Sequence, residues 1–453
     1  MDISAIYKHP EDVVAVTSSS GSITYGELYR RSENLAKHII ASGAKRVIVY
    51  GHKEYSMVLA YVACLRAGVP YIPVSPQQPV GRRKAIASQA DAGLILCAVG
   101  RGFAGAGSAL SLNIMAVSDE APEQEVQLPD AYAEDQLAYI TFTSGSPKGV
   151  QATRGNLNNY IDWMDKTIPL KPEEEGTILN LAMFSIDLSL TDIYYALTHG
   201  RTLVTTNSEI QQHLTKLYPH LKKSNAAMMV LPPTLVHFMM QSNRFGREMM
   251  PNLRVVYLSG ESLHPGTVRH LLKCFDGDLT VINGYGPTEA TCNVCAAQIT
   301  DDMCDDRLPV GIVKDACTTI RIMKDNEDVP VGEEGEIVLI GKSVTGGYTN
   351  EEEGGFCTID GQPAFRTGDI GLITEDGRLY WSYRKNGMIK VRGVRIEPGD
   401  VENHMVRIHG VTGCGVVERY GHLVAYVTVS HEMTPGQIRA AARPHLPTHN
   451  LRL

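Results

Sequence analysis

The sequence lacks both a long hydrophobic run and an excess of positive charge. Its apolar stretches, such as the one that ends at Val62–Leu65, are shorter than the roughly 20 residues that a membrane-spanning helix needs. The N-terminus has no basic region followed by an apolar core, so it carries no visible secretory signal. The formal net charge of −8 over 453 residues excludes a global attraction to nucleic acid or to anionic membranes. We therefore expect a cytoplasmic protein that binds neither nucleic acid nor membrane.

A framework of paired cysteines is also lacking. The nine cysteines are an odd number in a long chain, which fits a reducing compartment better than a disulfide scaffold. Cys292 and Cys295 form one C-x-x-C pair, but a zinc site would need a second pair at short spacing. We therefore expect small buried side chains and no metal or redox centre at these cysteines.

The chain length suggests about three structural units. Up to about residue 300, short apolar runs alternate with amphipathic stretches, which predicts α/β layers with mainly parallel sheets. The predicted strands are 46–50, 94–98, 137–143, 202–205, 226–231, 255–258 and 279–283, and the predicted helices include 25–40 and 55–67.

The pattern changes after about residue 301. Short predicted strands separated by Gly, Asp and Glu indicate a small antiparallel sheet or barrel, with strands at 319–323, 336–340, 371–374 and 379–382. From about residue 384 we predict a strand pair, 411–417 and 422–429, and a helix, 434–442. The predicted fold is α/β, with a large N-terminal domain (1–383) of two α/β subdomains and a small β-barrel subdomain (about 301–383), and a small α+β C-terminal domain (384–453).

Four segments carry residues suited to chemistry. The first, Tyr139–Val150, offers hydroxyls, backbone N–H groups and Lys148 to a polyphosphate, although its spacing is not that of a Walker A loop. The second, Asn283–Thr291, follows an apolar strand, and Glu289 there supplies oxygens suited to Mg²⁺. Taken singly, the first segment fits a polar surface turn equally well, and the second fits a Gly/Pro turn with an incidental glutamate.

The other two segments lie further along the chain. In 365–370 we expect Asp369 on a tight turn, where a carboxylate can accept hydrogen bonds from two sugar hydroxyls. A β-turn that happens to contain Asp is the alternative. The fourth segment, 390–397, carries three cations within six residues, and a solvated charged strand would explain it as well.

Together and in this order, the four segments resemble the adenylate-forming ligase superfamily, which includes nonribosomal peptide synthetase adenylation domains, D-alanine–carrier-protein ligases, acyl-CoA synthetases and luciferases. Further matching segments are Ile23–Leu28, Leu65–Val74, 335–337 and 346–348. The resemblance covers nearly the whole chain. It implies a C-terminal domain that rotates between half-reactions about a hinge, which aligns with Asn386.

Within the superfamily, the segment Phe184–Ser189 resembles the motif of the amino-acid-activating branch. The Asp of that motif binds the substrate α-ammonium, and here it is Asp187. Because an unpaired buried cation is costly, an acid at this position selects for amino substrates. A helix-capping Asp is the alternative interpretation.

The resemblance implies two half-reactions and two cofactors, ATP and Mg²⁺. The substrate carboxylate attacks the α-phosphate of ATP to give an aminoacyl-adenylate and pyrophosphate, and the phosphopantetheine thiol of a carrier protein then displaces AMP. The protein mainly positions groups and neutralises charge. The loop residues that would hold the β- and γ-phosphates are Thr143, Ser144, Gly145, Ser146 and Lys148.

The remaining roles implied by the resemblance fall on three segments. Thr288 would contact the α-phosphate, and Glu289 would bind Mg²⁺. Asp369 would bind the ribose hydroxyls, with Arg384 near the ribose and phosphate. The residues at the adenine would be Tyr285, which stacks on the base, and Gly260, Glu261 and Gly286 beside it.

The resemblance also maps a pocket for the substrate side chain. Tyr257 would shorten this pocket, and the lining holds no charge other than that of Asp187. We therefore expect a small or medium neutral α-amino acid with, at most, a polar side chain. The mapped residues are Asp187, Leu188, Thr191, Val230, Tyr257, Ser259, Gly284, Cys292 and Asn293.

Two departures from the family pattern stand out. The phosphate loop of the family reads T-S-G-[ST]-T-G-x-P-K-G, whereas here Ser146 is followed directly by Pro147, so about three residues are missing. The family's catalytic lysine, in a P-x-x-x-x-G-K-type segment, has no counterpart before Leu453, and we expect a truncated C-terminal domain.

Three hypotheses follow for the function. The first is an ATP-dependent amino acid–carrier-protein ligase, acting as a monomer or as part of a larger synthetase. The second is an acyl- or aryl-CoA ligase of the same fold, which would not need Asp187. The third, motivated by the two departures, is a degenerate domain that binds nucleotide or a carrier protein without turnover.

Overall fold

The computed structural model describes residues 1–100, 103, 109–143, 147–305, 307–350 and 354–385. Beyond these it describes 389–391, 394–396, 398, 401, 405, 408, 410–419, 422–429 and 432–442. Within these residues, none of the helices has the length and apolar character that a bilayer crossing requires.

The strands occur in chain order as follows: β1 Val14–Ser18, β2 Gly21–Thr24, β3 Val47–Tyr50, β4 Tyr71–Val74, β5 Leu94–Cys97, β6 Leu110–Asn113, β7 Leu137–Phe142, β8 Gly149–Thr153, β9 Thr177–Asn180, β10 Leu203–Thr205, β11 Ala226–Leu231, β12 Val255–Ser259, β13 Thr280–Tyr285, β14 Cys295–Ile299, β15 Gly311–Ile312, β16 Thr319–Lys324, β17 Glu327–Asp328, β18 Gly335–Ile340, β19 Phe356–Ile359, β20 Gln362–Ile373, β21 Arg378–Arg384, β22 Ile389–Val391, β23 Val394–Ile396, β24 Val411–Arg419 and β25 His422–Val429.

The α-helices are α1 Tyr25–Ala41, α2 Tyr55–Ala67, α3 Val80–Ala90, α4 Ile114–Val117, α5 Arg154–Thr167, α6 Ser189–Thr198, α7 Ser208–Gln211, α8 Leu214–Ser224, α9 Pro233–Met239, α10 Pro265–Cys274 and α11 Pro435–Ala442. Short 3-10 helices lie at Ile3–Lys8, Thr288–Ala290, Asp301–Asp305 and Val313–Asp315.

Two mixed sheets form the α/β part of the molecule. One has the strand order β6-β5-β3-β4-β7-β8 and is parallel except at the β7–β8 hairpin. The other has the order β14-β13-β12-β11-β9-β10-β1-β2 and is antiparallel only at its two edge pairs. Strands such as β3, β5 and β11 are buried along their whole length, as expected where helices cover both faces of a parallel sheet.

The main hydrophobic core joins the two sheets. It takes side chains from strands of both sheets and from α1, α2, α5 and α6. Helix α1 begins with a capping box between Thr24 and Glu27, and α2 ends at Gly68, whose positive φ of 69° suits a residue without Cβ. Helices α5 and α6 therefore lie between the sheets, where they contribute residues to the site described below.

A third sheet of seven strands follows residue 301 and is antiparallel throughout, in the order β15-β21-β20-β18-β16-β17 with β19 paired to β20. Further along, β22 pairs with β23, and β24 pairs with β25, each antiparallel. The structure thus has the predicted change from parallel to antiparallel sheets, and most strand ends agree with the prediction to within one or two residues.

One expectation about this sheet is wrong. Residues 365–370, predicted to form a tight turn that presents Asp369, lie inside the 12-residue strand β20. Gly368 is accommodated within the strand, because it has a φ of +70° and the pairing with β21 shifts register between Ile370 and Gly371. Asp369 is consequently held by hydrogen-bonded neighbours on both sides.

A lysine buried between the sheets gives the first testable prediction. Burial lowers the pKa of Lys53 from 10.5 to about 7, partly opposed by Asp192, and its Nζ donates to Leu181 O at 3.0 Å. Between pH 7 and pH 10.5 the unfolded chain therefore binds a proton that the folded chain has lost, and rising pH favours the folded state. The unfolding free energy of the wild type minus that of Lys53→Met should rise with pH over this window. If urea titrations show that this difference in unfolding free energy does not change with pH, the pKa of Lys53 is not lowered in the folded protein.

Candidate active site

The loop between β7 and β8 is closed by a pair of residues at its base. Thr143 N–H donates to Lys148 O at 3.0 Å, and Lys148 N–H donates to Thr143 Oγ1 at 3.1 Å. Arg82 also donates to Thr143 O. The base of the predicted phosphate loop is therefore an ordered hairpin end, whereas Ser144, Gly145 and Ser146 lie outside the described residues.

A second segment packs along β8 and links the loop to the predicted magnesium ligand. Gly346 N–H donates to Gln151 O at 2.8 Å, and Thr349 N–H donates to Gly149 O at 2.8 Å. Tyr348, held between these bonds, has its ring 5.3 Å from Lys148 Nζ and donates from its hydroxyl to Glu289 Oε1 at 2.7 Å. Lys148 and Glu289, which are far apart in the sequence, thus both contact one tyrosine.

Glu289 fits a magnesium ion held mainly by phosphates. Its carboxylate is buried and lies beside Thr288 on the 3-10 helix that follows β13. Among the described residues, no group of three or more His, Cys, Asp or Glu forms a complete metal site. A single carboxylate is nevertheless what Mg²⁺ commonly uses when substrate phosphates and waters complete its octahedral shell.

Three residues predicted to contact the nucleoside are joined by hydrogen bonds. Tyr285, at the end of β13, donates from its hydroxyl to Asp369 Oδ2 at 2.8 Å, and Arg384 Nη1 lies 3.0 Å from Asp369 Oδ1. Burial and the Asp369 carboxylate raise the pKa of Tyr285, so its phenol stays protonated and remains a donor. The second and third sheets therefore meet at the predicted adenine and ribose contacts.

The other predicted nucleotide contacts are less directly connected. Glu261 follows Gly260 after β12 and accepts a hydrogen bond from Thr234 N–H at 3.0 Å. Gly286 allows close packing, since a Cβ there would lie 2.4 Å from Cys292 O. Asn386, the predicted hinge, lies outside the described residues.

Asp187, predicted to bind the substrate ammonium, lies two residues before the start of α6. It is half-buried, and it precedes α6, so its carboxylate is near the positive end of that helix. Its backbone carbonyl accepts from Leu190 N–H at 2.8 Å, which fixes the turn into the helix. Together with burial, the Asp187 carboxylate raises the pKa of the Cys292 thiol, so the two groups are close in space.

The interior of the pocket is a buried hydrogen-bond network. Ser259 Oγ lies 2.5 Å from Asn293 Oδ1, and the amide of Asn293 donates to Cys292 Sγ at 3.2 Å and towards Tyr160 Oη at 3.4 Å. Tyr160 Oη in turn lies 2.7 Å from Thr191 Oγ1. One hydrogen-bond network therefore connects five neutral polar side chains, those of Tyr160, Thr191, Ser259, Cys292 and Asn293.

Three contributing residues were not assigned a role from the sequence. Tyr160 lies on α5 and joins the pocket network, Tyr348 contacts both Lys148 and Glu289, and Arg82 binds the base of the phosphate loop. Tyr348 belongs to the family-like segment 346–348, and this match could have indicated a role for it in the site. The signal for Tyr160 was its helical spacing on a face that turns towards the core.

Comparison with known proteins identifies the family. A family model described as AMP-binding enzyme matches residues 4–349. The chain belongs to this family. Two similar relatives are both named D-alanine–D-alanyl carrier protein ligase. That of Bacillus licheniformis is 34% identical over 423 residues, covering 90% of this chain and 83% of the relative. That of Listeria monocytogenes is 34% identical over 428 residues, covering 89% and 83%.

Solved structures share the fold at low sequence identity. An adenylation domain from Vibrio cholerae in complex with glycyl-adenosine-5'-phosphate has a TM-score of 0.82 at 22% identity, covering 99% of this chain and 92% of that chain. An o-succinylbenzoate CoA synthetase from Bacillus subtilis has a TM-score of 0.81 at 19% identity, with the same coverages. The predicted superfamily, fold class and activity class, an adenylating ligase, are confirmed.

The Asp369 cluster gives a prediction for this AMP-binding enzyme. In Asp369→Asn, Tyr285 keeps an acceptor but the Arg384 guanidinium loses its buried anionic partner. We expect ATP to bind about 10- to 100-fold more weakly, because charge-assisted hydrogen bonds to the ribose hydroxyls are lost. Titration calorimetry with a non-hydrolysable ATP analogue measures this. Unchanged affinity in a folded variant would remove Asp369 from the nucleotide site, and Asp376→Asn, on the exposed β20–β21 turn, serves as control.

Proposed function

We propose that this protein activates a small, uncharged amino acid as its aminoacyl-adenylate and transfers it to the phosphopantetheine thiol of a carrier protein. The observation that carries the proposal is the half-buried Asp187 in front of a buried, neutral polar pocket. An ammonium group needs an anion at this place, whereas an acyl or aryl acid has no use for one.

The burial of the mapped pocket residues favours a small side chain. Its mapped residues other than Asp187 are buried, including Val230 and Tyr257, which are fully inaccessible. The relatives named for D-alanine and a D-alanyl carrier protein favour the same substrate class. D-Alanine is therefore the first amino acid to test.

The proposed adenylation step uses the predicted site residues as follows. Asp187 would hold the ammonium group, so that a substrate carboxylate oxygen forms a bond to the α-phosphorus while the bond to the β-phosphate bridging oxygen breaks and pyrophosphate leaves. Thr288 would contact the α-phosphate, and Thr143 and Lys148 would face the leaving phosphates. Glu289 would hold Mg²⁺, which would neutralise charge on the phosphates. The nucleoside would lie against Tyr285, Asp369 and Arg384.

The transfer step needs a thiol as nucleophile. Its sulfur bonds to the carbonyl carbon of the adenylate, the carbon–oxygen bond to phosphate breaks, and AMP leaves with both electrons of that bond. The thiol proton passes to solvent or to a phosphate oxygen. A carrier protein is favoured as the thiol donor by the names of the relatives.

Amino-acid-dependent ATP–pyrophosphate exchange tests the proposal. The panel contains the proteinogenic amino acids, D-alanine, D-serine and the amine-free acids propionate and benzoate. Exchange with one or a few small amino acids, and none with the amine-free acids, is the expected result. Preferential exchange with amine-free acids would favour the acyl-CoA ligase hypothesis, and ATP binding without exchange would favour the degenerate domain.

A further inference from the structure

Tyr257, one of the residues mapped to the side-chain pocket, lies on a central strand of the second sheet. It lies in the middle of β12, opposite Val230 on β11 and Ile282 on β13. Its ring leans over Gly284, two residues nearer the carboxyl end of the sheet, and a Cβ at Gly284 would lie 2.4 Å from Tyr257 Oη. The hydroxyl therefore points towards the edge of the sheet where Asp187 lies, and the absence of a side chain at Gly284 is what leaves room for it.

The Tyr257 hydroxyl differs from its polar neighbours in having no partner. Within the described part of the chain no group lies within hydrogen-bond distance of Oη, although the side chain is completely buried. The neighbouring Tyr160, Ser259 and Asn293 are all joined in the network. A buried hydroxyl without a partner lowers stability, and a bound substrate is a source of the missing partner.

We propose that Tyr257 Oη hydrogen-bonds a hydroxyl group on the substrate side chain, so that the pocket favours serine over alanine. This inference rests on the proposed function. The Asp187 carboxylate helps to raise the pKa of the Cys292 thiol, and Cys292 in turn helps to raise the pKa of Tyr257, so the ammonium site and the phenol lie near the same buried cysteine. A hydroxyl on the substrate side chain is the group that would satisfy Oη.

Other polar side chains fit less well. A charged side chain would meet no counter-ion, because the pocket network is built from hydroxyl, amide and thiol groups. A longer amide side chain would need space that the fully buried Val230 and Tyr257 take up. Alanine fits by size but leaves the Tyr257 hydroxyl unsatisfied.

The experiment compares kcat/KM in ATP–pyrophosphate exchange for both enantiomers of alanine and serine. We expect the better serine enantiomer to exceed the better alanine enantiomer by at least about tenfold. In Tyr257→Phe the serine-to-alanine ratio should fall on the order of 10- to 100-fold. The matched control is Tyr218→Phe, which removes a buried hydroxyl that donates to Met239 O in the separate core on the other face of the same sheet, and it should leave the ratio unchanged.

The outcomes separate the inference from the function on which it rests. Preference for alanine in the wild type, or an equal loss for all four amino acids in Tyr257→Phe, overturns the role of the hydroxyl and leaves the proposed function standing. Absence of exchange with every amino acid overturns the proposed function itself. The wild-type ratio decides the inference even if Tyr257→Phe does not fold.

Discussion

Replacing Asp187 by asparagine is expected to lower kcat/KM for the amino acid by about 30- to 4,000-fold. Removing one partner of a desolvated charge pair costs about 2–5 kcal/mol, because the substrate ammonium is left without its anion. The variant keeps the volume of the side chain, and in the described part of the structure the hydrogen-bonded contacts of Asp369 and Glu289 do not include Asp187. ATP affinity should therefore stay within about twofold, and exchange kinetics with titration calorimetry measure both quantities.

The control for this substitution is Asp165→Asn, which removes a carboxylate that pairs with His199 at 3.0 Å, outside the pocket. It should leave the exchange kinetics unchanged. Amine-free acids provide a second control, because they have no ammonium group for the Asp187 carboxylate to bind. Any exchange with these acids should not be lowered by Asp187→Asn. If Asp187→Asn lowered exchange with amino acids less than about threefold, the Asp187 carboxylate would have only a structural role near the start of α6, and the amino-acid-activating assignment would lose its main support.

Replacing Glu289 by glutamine is expected to slow exchange on the order of 10²- to 10³-fold. The amide oxygen of Gln can still accept the hydrogen bond of Tyr348, so the contact that orients the side chain is kept while the charge is lost. The proposed magnesium ligand is thus removed with little disturbance of the packing. The rate should recover in part at high Mg²⁺ concentration, because the phosphates supply most of the remaining ligands.

Tyr348→Phe separates orientation from charge at the same place. The variant keeps the Glu289 carboxylate but removes the Tyr348 hydroxyl that donates to this carboxylate. The aromatic ring at position 348, which Lys148 contacts, is also kept. We expect a loss smaller than that of Glu289→Gln and a raised Mg²⁺ requirement. Exchange in Glu289→Gln at the wild-type rate and Mg²⁺ dependence would show that the ion is held elsewhere.

Much of this architecture can be predicted from the sequence. The strands β11 and β25 and the helix α2 have their predicted bounds, because continuous apolar runs and glycine or asparagine stops define them. The order of the family-like segments identified the superfamily, which the match over residues 4–349 confirms. Local pattern is sufficient where an element and its ends are encoded in neighbouring residues.

Tertiary pairing explains what local pattern missed. Asp369 was predicted on a tight turn, whereas pairing with β18 and β21 keeps the segment in a strand. The Tyr160 hydroxyl reaches Thr191, 31 residues away, and the Tyr348 hydroxyl reaches Glu289, 59 residues away. The unpartnered state of Tyr257 Oη likewise depends on every neighbour in three dimensions.

Attack of a substrate carboxylate on the α-phosphate of ATP can be followed with an isotope. The enzyme is incubated with ATP, hydroxylamine and the amino acid that gives the fastest exchange, labelled with ¹⁸O in its carboxylate. Hydroxylamine attacks the carbonyl carbon of an adenylate, so we expect AMP that carries one ¹⁸O atom. Unlabelled AMP, or ADP as the nucleotide product, would contradict it.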